Sequence, residues 1–344
     1  MTIQHTTRKH ARLSASRADR FMSCPGSVKL EDQMPYEPAG EAAALGTHIH
    51  ELGEMLLNGA DYDEILTSGV EKENLDMARS YAQFVNTLVE NPKRKLIEVN
   101  LDEGLKTLHP SLGGTADAVL TESHTLHVID LKTGRIPVDA KDNRQMMVYA
   151  LGAMRKFNAP ADINVKMHIF QPRTGHSTHT VSGNDIISFG HELKAAADLA
   201  NQDDAPINPG SSQCQWCKAK PICPAIRAKS INAARKVFDV NQGISPDMIE
   251  DAKLAELWST SILDAAKKQL IDKPESIPGW YMKSGRKTKF WRDEAIVKEV
   301  LKDNPDAFEL RSPSAILKAG IEISEDLVGE KTSAPTLAKA KSGE

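Results

Sequence analysis

Apolar residues recur at spacings of three and four in the first third of the chain, a pattern typical of amphipathic helices. It predicts a short helix over residues 12–23, with Ser14 or Ser16 as its N-cap, and longer helices over residues 41–57 and 71–90. The first part of the chain is therefore expected to be helical.

The pattern then changes to short β-rich runs that alternate with further helices. A hairpin turn is predicted at residues 122–124, between two of these runs. The predicted strands cover residues 95–101, 115–121, 125–132, 163–172 and 177–182, and the predicted helices cover residues 143–157 and 185–200. This arrangement favours an α/β fold in which helices flank a mixed central sheet.

The last part of the chain is predicted to be helical. A loop over residues 201–212 is followed by predicted helices at 225–239 and 246–272, a compact segment at 278–292 and a helix at 293–303. We expect a core domain over residues 1–228, a helical region over residues 229–328 and a flexible tail over residues 329–344.

Two aspartates and a lysine fall on the predicted hairpin. Asp117 lies where one strand begins, and Asp130 and Lys132 are two positions apart on the other, so they share a face. If the strands pair, both carboxylates converge and form, with the Leu131 backbone carbonyl, a hard oxygen site for Mg²⁺ or Mn²⁺. Lys132 could then position or deprotonate an attacking water. The alternative is a surface ion pair at an exposed strand end, which the hydrophobic run before Asp130 disfavours.

A histidine on the predicted helix 41–57 is a further candidate ligand. His50 has Gly46 four residues before it and Gly53 three after it, and this thin face would let the helix approach a sheet closely. His48 points about 200° away and is expected to be solvated or to pack elsewhere. Glu98, on the preceding strand, could be a further acid, although an edge-strand salt bridge is the favoured interpretation.

Four short motifs together resemble a known family. They are Gly46-x-x-x-His50, Gly114-x-x-Asp117, Asp130-x-Lys132-Thr133-Gly134 and Gln145-x-x-x-Tyr149. In this order and approximate spacing they resemble RecB-family nucleases of the PD-(D/E)xK superfamily. The resemblance also covers Ser14-x-Ser16, Cys24-Pro25 and the later cysteines, so it spans about residues 12–225. It is closest to a phage- and prophage-associated branch, and it extends to CRISPR-associated and AddB-type iron–sulfur exonucleases.

The resemblance implies a restriction-endonuclease-like α/β core of the PD-(D/E)xK type, with the active site at one edge of the sheet and a helical C-terminal extension. It also implies roles for individual residues. The metal ligands would be His50, Asp117, Asp130 and the Leu131 carbonyl, and Lys132 would be the catalytic lysine. Gln145 and Tyr149, which share a helix face, would contact DNA or order the site. The second acid of the superfamily is often glutamate, whereas this chain has Asp130, a common variant in the RecB-like branch.

The chain has four cysteines, Cys24, Cys214, Cys217 and Cys223, and three of them crowd into ten residues. In a cytosolic protein such clustering favours metal over disulfides. A single cysteine knuckle, formed by residues 214–223, together with one remote cysteine is less typical of a zinc site. The arrangement matches the four-iron four-sulfur cluster of the nuclease relatives. Such a cluster would act as a staple that closes the core domain. Zinc and four uncoordinated cysteines are the alternatives.

Basic residues near aromatic ones indicate possible DNA contacts. Between Tyr281 and Arg292 the chain has five basic residues and no acidic one: Lys283, Arg286, Lys287, Lys289 and Arg292. Arg135 and Arg144 flank the carboxylate motifs and could also contact the DNA backbone. The alternative for the segment is a solvated hairpin whose aromatics pack on the core.

Charge and hydropathy bound the class of protein. The net charge of −4 is unusual for a simple nucleic-acid binder, although local basic patches can supply the contacts. No run of 18 apolar residues indicates a membrane helix, and the polar first twelve residues do not resemble a secretory signal. We therefore expect a cytoplasmic protein without membrane partners, located in the host cytoplasm if it is phage-encoded.

These observations predict a metal-dependent deoxyribonuclease, and the resemblance favours an exonuclease in phage-type DNA recombination, replication or repair. Its partners would be DNA and a phage recombinase or single-strand-binding protein. A rival interpretation is a non-catalytic DNA-binding or assembly protein that retains the fold and cluster. The intact Asp117, Asp130 and Lys132 argue against that rival. A third is a zinc-stabilised interaction module in which the Asp-x-Lys motif is accidental.

Overall fold

The structure is a computed structural model that describes residues 11–35, 38, 40–235 and 243–282. The chain divides into two compact units, Met1–Met282 and Lys283–Glu344, and every described residue belongs to the first unit. The predicted helix over residues 293–303, the predicted tail and most of the segment 278–292 lie outside the described residues.

The N-terminal segment starts with a strand, so the predicted helix over residues 12–23 was wrong at its beginning. β1 (Leu13–Ser14) pairs in parallel with β3 (Leu112–Gly113), and a 3-10 turn precedes α1 (Ala18–Ser23). Leu13 is fully buried and its N–H donates to the Ser111 carbonyl at 2.9 Å, so this segment is committed to strand pairing. Ser14 therefore makes no side-chain capping bond.

One helical layer follows. It comprises α3 (Glu41–Leu57), α4 (Tyr62–Thr67) and α5 (Lys72–Leu88), and a short α2 (Ser27–Asp32) precedes it. The two long helices were predicted, whereas α2 and α4 are only six residues each, too short to show a hydrophobic period. α3 and α5 pack on each other and on one face of the sheet.

The central sheet has five strands in the order β2-β4-β5-β6-β7. They are β2 (Arg94–Asn100), β4 (Thr115–Glu122), β5 (Thr125–Leu131), β6 (Asn164–Gln171) and β7 (Gly175–Ser182). β5 and β6 are parallel, and the other neighbours are antiparallel. The predicted β4–β5 hairpin is confirmed, with Glu122 paired to Thr125 across the turn.

The opposite face of the sheet is covered by α7 (Arg144–Phe157) and α8 (Gly183–Ala200), and the short α6 (Asp102–Lys106) packs on α7. α7 is the crossover that joins the parallel strands β5 and β6. Its first turn is capped by the side chain of Asn143, which accepts a bond from the Met146 N–H at 3.2 Å. The predicted α/β fold with a mixed sheet flanked by helices is therefore confirmed.

The C-terminal part of the described chain is helical. α9 (Ser211–Gln215) leads through a 3-10 turn (Lys220–Ile222) to α10 (Pro224–Arg235), and α11 (Pro246–Asp272) packs against α10 and α9. The predicted division at residue 228 lies inside α10. Among the described helices, none is long and apolar enough to cross a membrane.

Two histidines form a hydrogen-bonded pair inside the sheet. His127 Nδ1 lies 3.1 Å from His168 Nε2, and the rings stack with centroids 5.3 Å apart. At the outer ends, His127 Nε2 lies 3.0 Å from a Glu122 oxygen and His168 Nδ1 lies 3.1 Å from the Thr178 hydroxyl. Burial, together with neighbouring basic groups, lowers the pKa of His168 to about 3.

Acidification is predicted to destabilise the fold through His168. Below its ordinary value of 6.5 and down to about pH 3, the unfolded chain binds a proton that the folded chain excludes. Because the unfolded state binds more protons in this window, the free energy of unfolding should fall with pH. The expected loss at pH 5 is about 2 kcal/mol for this group. Urea unfolding at pH 7 and pH 5 measures it.

The control for this prediction is a second histidine. His168→Gln should remove about this part of the pH dependence, whereas His191→Gln, on the exposed side of α8, should retain the wild-type dependence. Identical pH dependence in all three proteins would contradict the assignment.

Candidate functional site

Three acidic residues form one row across neighbouring strands. The register of β2 and β4 puts Glu98 opposite Asp117. The register of β4 and β5, extended by one residue beyond the pair Ala118↔Ile129, puts Asp130 opposite Asp117 on the other side. Like charges directly opposite each other destabilise a sheet, so this row requires compensating positive charge.

The regular backbone pairing between β4 and β5 ends at this row. The Leu131 N–H donates to Oδ2 of Asp117 at 2.6 Å, so a side chain takes the place of a ladder partner. On the other side of Asp117, Glu98 has a φ of +50°, a left-handed conformation that is uncommon for residues other than glycine. Backbone strain of this kind clusters at functional sites, where the surrounding structure enforces it.

His50 reaches the row from α3. Its Nδ1 lies 3.3 Å from Oδ1 of Asp117. Gly46, one turn earlier, allows the close approach, because a Cβ there would lie 3.1 Å from the Thr133 hydroxyl just after β5. Gly53 instead faces Tyr81 of α5, so only one of the two glycines approaches the sheet as expected. His48 instead lies 4.0 Å from Glu51, and its side chain is partly exposed.

The other half of the site lies on the α7 side. Lys132 Nζ is 2.9 Å from Oδ2 of the buried Asp130, and it donates to Oε1 of Gln145 at 3.0 Å. Gln145 Nε2 lies within hydrogen-bond distance of both Oδ1 of Asp130, at 3.1 Å, and the Tyr149 hydroxyl, at 3.0 Å. Apart from the Lys132 ammonium, no described residue donates to Oδ2 of Asp130. Gln145 therefore fixes the relative position of acid and lysine.

The charges of the site perturb one another. Burial raises the pKa of Asp130, and Asp117 adds to this, although Lys132 opposes it. Burial by itself would lower the pKa of Lys132, but the Asp130 carboxylate outweighs it, so that pKa lies above its usual value. The same balance holds for His50, whose pKa is raised because the Asp117 carboxylate, with Asp130 and Glu98, outweighs burial. The row thus favours positive charge on both basic groups.

The side-chain atoms form one candidate cation-binding group. One nitrogen of His50 and one oxygen each of Glu98 and Asp117 lie within 4.8 Å of one another. This set of one imidazole and two carboxylates fits a divalent ion such as Mn²⁺ or Mg²⁺. Asp130, a predicted ligand, is not in this group of three and lies with Lys132 and Gln145.

Glu98 is the functional candidate that sequence reasoning ranked too low. A salt bridge on an edge strand was the favoured interpretation, and β2 is indeed an edge strand. The register of β2, however, brings its carboxylate to His50 and Asp117. Only a charged residue inside an otherwise β-rich run signalled this in the sequence.

The predicted DNA-contacting residues lie in different places. Arg135 is exposed on the loop after β5. Arg144 turns towards α1, where it donates to the Ser23 hydroxyl at 2.7 Å and lies 3.8 Å from an Asp19 oxygen. Lys283, Arg286, Lys287, Lys289 and Arg292 lie outside the described residues.

Comparison with known families covers almost the whole chain. The family described as "Protein of unknown function (DUF2800)" matches residues 10–338. The chain belongs to the DUF2800 family. The match includes both halves of the acidic row and all four cysteines, so one family pattern spans the two candidate sites of this chain.

Two solved structures resemble this DUF2800 chain only weakly. The crystal structure of SSO0001 has 15% identity and a TM-score of 0.33, and the match covers 62% of this chain and 86% of that one. A "Putative exonuclease" from Eubacterium rectale has 10% identity and a TM-score of 0.30, with 67% and 93% covered. At these scores neither structure carries an argument about fold or chemistry.

The four cysteines of the DUF2800 chain line one cavity, although Cys24 is far from the others in sequence. All four are buried, and none of them forms a disulfide. Burial raises the pKa of Cys217 to about 12, and the nearby Glu31 carboxylate adds to this. Bound metal would have to displace these protons, because thiolates are the ligands.

The spacing of the sulfurs bears on which metal would fit. Among the described residues, only His50, Glu98 and Asp117 bring three metal-ligating atoms within 4.8 Å of one another, so no three of the four sulfurs lie that close together. A tetrahedral zinc site with Zn–S bonds of about 2.3 Å needs sulfurs about 3.8 Å apart. The ligands of a multi-iron cluster would bind different iron atoms, so their sulfurs could lie farther apart.

A buried acid holds the cysteine cavity to the N-terminal helices. Glu31 of α2 pairs with Arg17 and, at 3.2 Å, with Arg20, and it accepts the Lys218 N–H at 2.9 Å. Arg20 also donates to the Trp216 carbonyl at 3.0 Å. This network connects α1 and α2 with the segment that carries Cys214 and Cys217.

Gly26 provides a second connection, between the N-terminal helices and the loop before α9. A Cβ at this position would lie 2.6 Å from the Ala205 carbonyl oxygen, a backbone atom that cannot move away freely. Gly26→Ala should therefore reduce the free energy of unfolding by about 1–3 kcal/mol, measured by urea titration. Gly134→Ala, where the methyl meets nothing within 4 Å, is the control. Equal stability of the two variants would show that the segments around Gly26 and Ala205 can move apart without a loss of folding free energy.

Proposed function

We propose that this chain is a divalent-metal-dependent nuclease that hydrolyses phosphodiester bonds in DNA. The observation that carries the proposal is the row Glu98–Asp117–Asp130, with His50 3.3 Å from its central acid and Lys132 2.9 Å from its last. The row collects at one strand end the groups that phosphodiester hydrolysis needs: ligands for an ion and a positive charge for the phosphate.

His50, Glu98 and Asp117 are the proposed metal ligands, and Asp130 and the Leu131 carbonyl are proposed as further ones. A bound Mg²⁺ or Mn²⁺ would act as a Lewis acid on the phosphate and lower the pKa of a coordinated water. His50 must be neutral to coordinate, and the Asp117 carboxylate beside it holds the ring in place.

Lys132 is proposed as the catalytic lysine. Its raised pKa favours the ammonium form, so its expected task is to orient water and stabilise negative charge on the phosphate rather than to accept a proton. Gln145 positions it and Asp130 together, and the Tyr149 hydroxyl supports Gln145 from the next turn of α7. This chain of contacts keeps the lysine beside the acidic row.

We further infer that the cysteine cavity binds a four-iron four-sulfur cluster that staples the N-terminal segment to α9 and α10. The convergence of all four cysteines on one cavity, although Cys24 is far from the other three in sequence, supports this. An exonuclease role in phage-type recombination, replication or repair, with a recombinase or single-strand-binding partner in the cytoplasm, is the biological setting that the motif resemblance suggests.

The nuclease proposal predicts a loss of cleavage without a loss of binding. Asp130→Asn and Lys132→Ala should each reduce Mn²⁺-dependent cleavage of DNA by about 100-fold or more, since they remove groups next to the reacting phosphate. DNA binding in Ca²⁺ should be largely retained. Asp162→Asn, an exposed acid 3.6 Å from His124, is the control and should cleave normally.

The substrates decide between the rival functions. Linear DNA labelled at the 5′ or the 3′ end, and circular DNA, should be compared with Mn²⁺ present. An exonuclease releases label from linear DNA and leaves circles intact. DNA binding by the wild type without any cleavage would favour the non-catalytic assembly protein.

The cluster proposal predicts a spectroscopic signature. Protein purified without oxygen should absorb at about 400 nm and contain iron and sulfide. Cys24→Ser should lose both the absorbance and the iron. Asp130→Asn should retain them, because it lies outside the cavity. Stoichiometric zinc without iron would refute the cluster.

A further inference from the structure

One surface of the protein combines exposed aromatic and apolar side chains with positive charge. Trp216, inside the cysteine knuckle, is 72% exposed, and Ile222 in the same knuckle is 47% exposed. A tryptophan at a structural knuckle would ordinarily pack on the core, as Trp258 does against the helices nearby. The exposed indole therefore requires a different explanation.

The segment that carries this surface is basic in sequence. Between Asp204 and Asp239 the chain has six basic residues and no acidic one, although the whole chain has a net charge of −4. Lys218 and Arg227 are exposed, and neither forms an ion pair with a described residue. Two carboxylates lie close to this segment: Glu31 is buried and pairs with Arg17 and Arg20, and Glu250 of α11 accepts the Ser211 N–H at 2.8 Å. The surface thus attracts anions.

The surface is also connected to the acidic row through a single short helix. At one end of α1, Arg144, the neighbour of Gln145, donates to the Ser23 hydroxyl. Arg20 of the same helix donates to the Trp216 carbonyl at 3.0 Å. α1 has six residues, a length of about 9 Å. α1 therefore links the helix that carries Gln145 to the segment that carries the indole.

We propose that Trp216 is a stacking platform for an unpaired base, and that Lys218 and Arg227 bind the phosphates of the same single strand. The proposal rests on the nuclease function and names the form of its substrate: a nucleic acid with a single-stranded end. Stacking suits this role because every base has an aromatic face, whereas duplex bases are already stacked on each other. A protein partner that packs an apolar side chain on Trp216 would depend on the apolar contact area of the indole and not on its aromatic character.

The test uses binding rather than cleavage, so its failure is distinct from failure of the nuclease proposal. A labelled fifteen-residue oligothymidylate and a blunt duplex of equal length are titrated into full-length protein in EDTA. Trp216→Ala should weaken single-strand binding by about tenfold and leave duplex binding nearly unchanged. Trp216→Phe should retain most of the affinity, and Trp216→Leu should lose as much as alanine. A parallel titration with oligouridylate shows whether the strand is DNA or RNA.

Controls keep the result interpretable. Ile271→Ala removes an equally exposed apolar side chain from the end of α11 and should bind single strands as the wild type does. Lys218→Ala should reduce the slope of log Kd against log salt by about one. The metal content of each variant should match that of the wild type. Wild-type affinity of Trp216→Ala, full retention by Trp216→Leu, or an equal loss for duplex and single strand would each overturn the proposal.

Discussion

The repulsion among Glu98, Asp117 and Asp130 is the constraint on which the candidate site depends. Three carboxylates in one cross-strand row would separate the strands unless positive charge lay next to them. His50 and Lys132 supply that charge from opposite faces of the sheet, and the ladder gives way locally, with the Leu131 N–H bonded to a side chain. A divalent cation would relieve the same repulsion, which is the physical basis of the proposed metal site.

The two helical layers act on the row in different ways. α3 can approach closely at Gly46 and brings the imidazole, whereas α7 brings Gln145, whose amide holds both Asp130 and Lys132. α7 is also tied through Arg144 to α1, and α1 is tied to the cysteine knuckle. The knuckle and the row are therefore supported by common elements, so damage at the cysteine cavity is expected to reach the acidic row through α1.

Much of the fold was accessible from pattern because long, strongly periodic segments carry their own signal. The helices α3, α5, α7 and α8 and the five strands of the sheet all appear in the sequence as runs with a period near 3.6 or 2. The N-terminal segment was misassigned because the pairing of Leu13 with Leu112 joins residues about one hundred positions apart. No local pattern reports such a partner.

The features of the candidate sites likewise fall into those that local spacing predicts and those that depend on distant contacts. Spacing along a single element is enough to predict that Asp130 and Lys132 share a face, that Gln145 and Tyr149 share another, and that Cys214, Cys217 and Cys223 lie close together. Three other features appear only in the folded chain: Glu98 joins His50 and Asp117, Gly53 faces Tyr81, and Cys24 lines the same cavity as the three later cysteines. These depend on strand register and helix packing, which are fixed by contacts between distant segments.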